Sequence, residues 1–201
     1  MDRRAFVVAM PALAVAACTR PPSAPVAVPV TGTAARFLAA AHEQTRHLVL
    51  YDSGYTRIGY PNGDVASGKG VCADVIIRAY RALGIDLQRL IHEDMTAHFE
   101  LYPKKWGLKA PDSNIDHRRV PNLRVFFSRF GQSLPVSQDP AIWKPGDLIT
   151  NQPFGPHIAI VSDHLAPGSN RPMVIQNIGR GPHEDDQLLR YPITGHYRYG
   201  L

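Results

Sequence analysis

Gly70-Val71-Cys72-Ala73-Asp74-Val75-Ile76-Ile77-Arg78-Ala79-Tyr80-Arg81-Ala82-Leu83-Gly84 is the stretch from which the rest of the chain can be read. Val75, Ile76, Ala79, Tyr80 and Leu83 recur at spacings of three and four. That pattern predicts a helix from Cys72 to about Leu83 with one buried face. Gly84 ends it, since glycine readily takes the left-handed conformation that closes helices. The cysteine therefore stands at a helix start, just past a glycine. Unpaired amides and the helix dipole favour thiolate there, which predicts a lowered pKa and a nucleophile. Gly70 leaves room for a substrate to come close.

Outward from this helix, the chain reads as helical up to about Phe130 and as strands after Pro145. Thr33 to about Leu50 reads as a helix, with Phe37, Leu38, Ala41 and Leu48 at its apolar positions and Thr33 as a cap. Asp52 to Gly70 is rich in Gly, Pro, Asn and Asp, hence a loop. Ile85 to Phe99 gives a further helix, striped by Leu87, Leu90, Ile91 and Met95 and capped by Asp86. Leu101 to Val120 has mixed charge and no clear period and reads as loop. Val120 to Phe130 is a short helix carrying Leu123, Phe126 and Phe127. After Pro145-Gly146-Asp147 the runs become short and β-branched: Leu148-Ile149-Thr150, His157 to Ser162, Arg171 to Ile178, Tyr191 to Ile193, and Gly195 to Tyr199. Such runs between turn residues predict an antiparallel sheet. Helices first and strands later make an α+β fold, with residues 33–201 forming one domain and no internal repeat.

A thiolate nucleophile needs a base, usually a histidine held by a third polar group. His157 opens the first clear strand, and its alternation partners Ala159 and Val161 face a core. A histidine at that position can point toward the helix end that carries Cys72. One strand later, Val174-Ile175-Gln176-Asn177 offers two side-chain amides, and either Gln176 or Asn177 can orient the imidazole.

This order of helical cysteine, strand histidine and polar residue on the next strand resembles the NlpC/P60 cell-wall peptidases, a branch of the papain-like cysteine hydrolases. That family carries a tyrosine twelve residues before the cysteine, where this chain has Tyr60. Its Pro-Gly-Asp turn and following strand are matched by Pro145-Gly146-Asp147-Leu148-Ile149, and its histidine strand by His157-Ile158-Ala159-Ile160-Val161. Gln176 falls where the family has its third residue, often histidine. Ala73-Asp74 stand where the family usually has Ser-Gly. A long insert, roughly Gln88 to Asp139, contains His92-Glu93-Asp94-Met95 and Asn114-Ile115-Asp116-His117-Arg118-Arg119. With Trp106-Gly107-Leu108 and Gly195-His196-Tyr197-Arg198-Tyr199, these stretches are similar to the DUF1287 family of bacterial proteins, from about residue 35 onward. The resemblance implies a papain-like, NlpC/P60-like fold. It also implies a thiol peptidase or amidase with Cys72, His157 and Gln176 or Asn177 as its catalytic set, and Tyr60 beside the oxyanion.

The amino terminus implies where such chemistry takes place. Arg3-Arg4 is followed by an apolar run from Ala5 to Ala17, too short to span a bilayer, which needs about 20 residues. Val15-Ala16-Ala17-Cys18 resembles the lipobox of bacterial lipoproteins, and Arg3-Arg4-Ala5-Phe6-Val7 resembles a twin-arginine signal. Residues 1–17 are thus expected to be a signal peptide and Cys18 a lipidated membrane anchor. Thr19, rather than aspartate, implies the outer membrane, facing the periplasm. Residues 18–32, with four prolines in Pro21-Pro22-Ser23-Ala24-Pro25-Val26-Ala27-Val28-Pro29, are expected to be an extended spacer. If Cys18 is lipidated, Cys72 is the sole thiol left in a compartment where thiols tend to pair.

Charge excludes some partners. Lys and Arg number 22 against 17 Asp and Glu, a net +5 that drops to +4 once Arg3, Arg4 and Asp2 leave with the signal. No basic run interleaved with aromatics is present, so nucleic acid is not an expected partner. Mild basicity suits an acidic polymer such as peptidoglycan. Neither a cofactor motif nor a ligand set with zinc spacing is present, and His92-Glu93-Asp94, Asp116-His117 and His183-Glu184-Asp185-Asp186 are not assigned to metal. Asp116, Arg118 and Arg119 either form a salt-bridge network or clamp a stem-peptide carboxylate. The leading expectation is hydrolysis of peptidoglycan stem peptides or related amides. Acyl transfer through the same thioester, and a non-catalytic wall-binding lipoprotein, are its alternatives.

Overall fold

The computed structural model describes residues 24–201. The expected signal segment 1–17 and Cys18 lie outside these described residues. Thr33 lies inside α1 (Gly32–Gln44), which begins after the extended Thr31. It stops well short of the expected Leu50, at the cap Thr45, whose N–H closes onto the His42 carbonyl. Leu48 is therefore not a core position; it is 87% exposed. β2 (Leu50–Tyr51) runs parallel to β3 (Lys69–Gly70), with Tyr51 opposite Gly70.

α2 (Cys72–Arg81) follows at once, and nearly all of it is buried. α3 (Leu87–Ala97) is capped by Asp86, whose side chain accepts the Arg89 N–H at 3.2 Å. Residues between α3 and α4 (Val120–Phe130) are largely irregular, with 3-10 turns at Phe99–Leu101 and Asp116–Arg118. Phe37, Tyr80, Leu87, Ile91, Leu123 and Phe127 fill the space among the helices.

The remaining strands are β4 (Gln132–Ser133), β5 (Leu148–Asn151), β6 (His157–Leu165), β7 (Pro172–Gln176), β8 (His183–Asp185) and β9 (Ile193–Arg198). They pair antiparallel in the order β4-β9-β5-β6-β7-β8. Alternation along the strands splits the core in two. Leu148, Ile158, Ile160 and Ile175 face the helices. Ile149, Ala159, Val161 and Val174 face a smaller cluster with Trp143 and Leu188 on the other side. The fold is α+β, with the helices of the first half packed on a mostly antiparallel sheet of the second. No helix among the described residues is long and apolar enough to cross a membrane.

Two further features depart from the sequence expectation. Part of the proline-rich segment is not free spacer: β1 (Val26–Ala27) pairs with β6, and the Val28 N–H bonds the Asp163 carbonyl at 2.7 Å. Flanking prolines leave those few amides able to pair at a sheet end. β8, hidden in the polar run His183-Glu184-Asp185, extends the sheet beyond β7.

The Pro-Gly-Asp turn is a structural joint. Gly146 has φ +90° and lies so close to Leu201 that a Cβ would meet its Cδ1 at 2.6 Å. Asp147 is fully buried and takes His196 Nε2 at 2.7 Å and Arg198 Nε at 2.7 Å, tying the entry of β5 to β9. Burial alone would raise its carboxyl, but these bonds hold it below the ordinary carboxylate range.

Candidate active site

Cys72 opens α2 because Val71 is extended and its N–H is captured by the Asp74 carboxylate at 2.6 Å. Asp74 is itself buried and held by Arg118, with Nε and Nη2 each at 2.9 Å. Arg118 Nη2 also bonds the Asp52 carbonyl at 3.1 Å, just past Tyr51. One fully paired carboxylate thus fixes the residue after β3 and the strand beside it. A buried aspartate two residues from the thiol can persist only because the guanidinium neutralises it. On the far side, Asn177 Nδ2 bonds the Gly70 carbonyl at 3.3 Å, fastening the end of β7 to the loop that delivers Cys72.

The thiol is 4% exposed. Burial pushes it up to about 11, and the Asp74 charge adds to that; the Ile158 and Ala73 amides and the Tyr51 hydroxyl pull the other way without prevailing. The expected lowered pKa is not what the surroundings produce. The helix-start amide of Ala73 favours thiolate, but removal of water outweighs it. The Tyr51 hydroxyl, raised to about 12 first by burial and then by Cys72, remains a donor throughout the neutral range.

Ile158 directly follows His157 in the chain, so its amide at the sulfur places the thiol beside the start of β6. His157 Nε2 lies 2.8 Å from Gln176 Oε1. Gln176 Nε2 donates to Asp185 Oδ1 at 2.9 Å. An ionised carboxylate only accepts, so Asp185 draws the nitrogen end of the amide and turns the oxygen to His157. The histidine proton therefore resides on Nε2, and Nδ1 keeps its lone pair. Asp185 is braced by His183 Nε2 at 3.0 Å and by Gln187 at 2.7 Å. Burial lowers His157 from its ordinary value, and the Gln176 bond and the Asp185 charge offset this in part. At neutral pH the Cys72 thiol keeps its proton and the His157 imidazole is uncharged.

A cavity of about 310 Å³ lies against His157, walled by Tyr51, Phe154, Pro156, Ile178 and Gly179 among others. Phe154 is 90% exposed at its rim. Tyr51 belongs both to this wall and to the surroundings of the Cys72 sulfur.

The other sequence-derived residues fall as follows. Of the two amides, Gln176 meets His157 and Asn177 does not. Tyr60 is 45% exposed and packs edge-on against His92, with ring centroids 5.0 Å apart. Tyr51, not Tyr60, is the tyrosine that influences the thiol; the short Val49-Leu50-Tyr51 run was the available signal, masked by the overlong helix expectation. Arg118 is tied to Asp74, while Arg119 pairs with Asp116 at 3.0 Å and covers the Trp106 ring at 4.1 Å. Asp116 is 1% exposed and also accepts the Asp112 N–H. These three residues form ion pairs within the fold and offer no open carboxylate clamp.

Among the described residues, the fold and the site combine one buried thiol at a helix start with a relayed histidine on the adjoining strand. Residues 38–199 match the family described as Domain of unknown function (DUF1287), and the chain belongs to that family. It is 47% identical over 161 residues to a protein of Escherichia coli (strain K12) described as Uncharacterized protein YijF, across 79% of this chain and 78% of that one. A solved structure titled Structure of NlpC1 from Trichomonas vaginalis is similar with a TM-score of 0.44 and 16% identity, over 86% of this chain and 46% of that one.

Proposed function

We propose that this protein is a thiol hydrolase that cleaves amide bonds of peptidoglycan stem peptides or related peptides. The observation that carries the reading is the Asp185–Gln176–His157 relay, whose free Nδ1 belongs to the strand that touches the Cys72 sulfur. In this reading His157 Nδ1 takes the thiol proton as sulfur attacks the carbonyl carbon. The new oxyanion is held by the Cys72 amide and the Tyr51 hydroxyl. Collapse breaks the C–N bond, and the imidazolium gives its proton to the departing amine. His157 then takes a proton from water, hydroxide displaces sulfur from the thioester, and the thiol is restored. The setting proposed for this chemistry is outside the cytoplasm, with the chain tethered through a lipid on Cys18 near the wall.

An electrophilic peptide mimic that alkylates thiols tests the site. The native protein should be modified at Cys72, and His157→Ala should slow modification strongly. Modification only after unfolding would remove Cys72 from consideration as a nucleophile.

A further inference from the structure

Seven residues beyond His157, three elements meet around a second histidine. His42 comes from α1, His164 from β6 and Glu184 from β8. One donor atom from each lies within 4.8 Å of the other two. The two imidazole rings are 4.8 Å apart between centroids. The Glu184 carboxylate is set from both ends: one oxygen accepts from the Ser162 hydroxyl, and the other lies 2.9 Å from His164 Nδ1. Asp163 Oδ1 lies 2.7 Å from His42 Nε2.

We propose that His42, His164 and Glu184 form a binding site for a divalent transition-metal cation of the zinc class, separate from the Cys72 site. Two imidazoles and a carboxylate suit zinc, cobalt, nickel or copper rather than magnesium or calcium, which prefer oxygen alone. Bonds of about 2.0–2.1 Å in a tetrahedral site set donors about 3.4 Å apart. Closing from the present spacing takes small side-chain rotations. The three side chains have the freedom for this, at 23%, 33% and 16% exposure. Three protein donors leave a fourth position for water or for Asp163. Ser162 and Asp163 stand where outer partners orient metal ligands.

The position gives the ion a role. Ala27 of β1 pairs directly with His164, and the Val28 N–H bonds Asp163. A cation here staples α1 to β6 and β8 at the point where the amino-terminal strand joins the sheet. Any ligand that binds only the folded state raises its stability by mass action.

The full chain, stripped with a chelator, is titrated with Zn²⁺ and with Co²⁺. The expected result is one equivalent bound, a rise in Tm with Zn²⁺, and visible Co²⁺ absorption without a thiolate charge-transfer band. His42→Gln and Glu184→Gln should each weaken Zn²⁺ binding by at least about tenfold, with fold checked by circular dichroism, while Cys72→Ala leaves binding unchanged. The Co²⁺ spectrum of the unaltered protein reads the ligand type independently of whether any variant folds. Absence of one-equivalent binding, variants that bind as tightly as the parent, or a thiolate band would each overturn the site. The first two outcomes leave only two separate His–carboxylate hydrogen bonds, and the third moves the metal to Cys72.

Discussion

Asp185 holds the Gln176 side-chain nitrogen at 2.9 Å, and that bond decides which end of the amide His157 meets. Asp185→Asn removes the obligate acceptor and lets the Gln176 amide turn over. A turned amide offers N–H to His157 Nε2, which moves the imidazole proton to Nδ1 and blocks the base. We expect kcat to fall by about 10²- to 10⁴-fold, the range spanned by general-base catalysis and by the loss of a tautomer-setting partner. KM should change little. Nitrogen-15 NMR of His157 reads the tautomer directly, and an unaltered tautomer in the variant would contradict this role.

Tyr51 and Tyr60 give a matched pair of tests. Tyr51→Phe removes the hydroxyl proposed as an oxyanion donor and should lower kcat by about 10²-fold, as loss of one such donor does. Tyr60→Phe, half-exposed and packed on His92, should leave kcat unchanged. Steady-state kinetics on one peptide substrate decides between them.

Acid and alkali should act on different groups. In the proposed mechanism His157 is the base and works only when neutral. Its burial-lowered pKa places the acid limb of kcat/KM below 6.5, with activity rising as pH rises through it and level through neutrality. Cys72, pushed up to about 11, holds its proton across that plateau. Alkylation of Cys72 by a small neutral reagent in His157→Ala should therefore climb about tenfold per pH unit toward that value, following thiolate fraction. A rate already level at pH 7 would indicate a resting thiolate.

The Asp74–Arg118 pair predicts a stability effect. Both side chains are 4% exposed, so Arg118→Met leaves an uncompensated buried carboxylate. Breaking such a pair costs about 3–5 kcal/mol. Arg118→Lys should recover little, because one ammonium cannot replace the forked contact. Urea unfolding measures both. A loss below 1 kcal/mol (about the scale of an exposed pair) would mean that water reaches Asp74.

Much of the framework was readable from residue order, and the reasons are local. The three- and four-residue spacing around Ile76 and the caps at Asp86 and Gly84 lie within single elements. So does the β-branched run after His157, and α4 spans Val120–Phe130 as the pattern indicated. The candidate site was legible where one residue carries its own signal, as Cys72 and His157 do. Tyr51 was not, because its place depends on the two-residue ladder with Gly70. Asp185 was hidden for the same reason: β8 is short and polar and gains its meaning only by pairing with β7. The thiol pKa went the other way from expectation because helix position shows in sequence and burial does not. His42, His164 and Glu184 are 122 and 20 positions apart, far outside any local ligand spacing, and only the packing of α1 against β6 and β8 unites them.

Mass spectrometry of peptidoglycan fragments incubated with the protein and with Cys72→Ala tests the central claim most directly. Amide-cleaved muropeptides are expected from the parent protein and none from the variant. Cleavage by Cys72→Ala at the parent rate would contradict it.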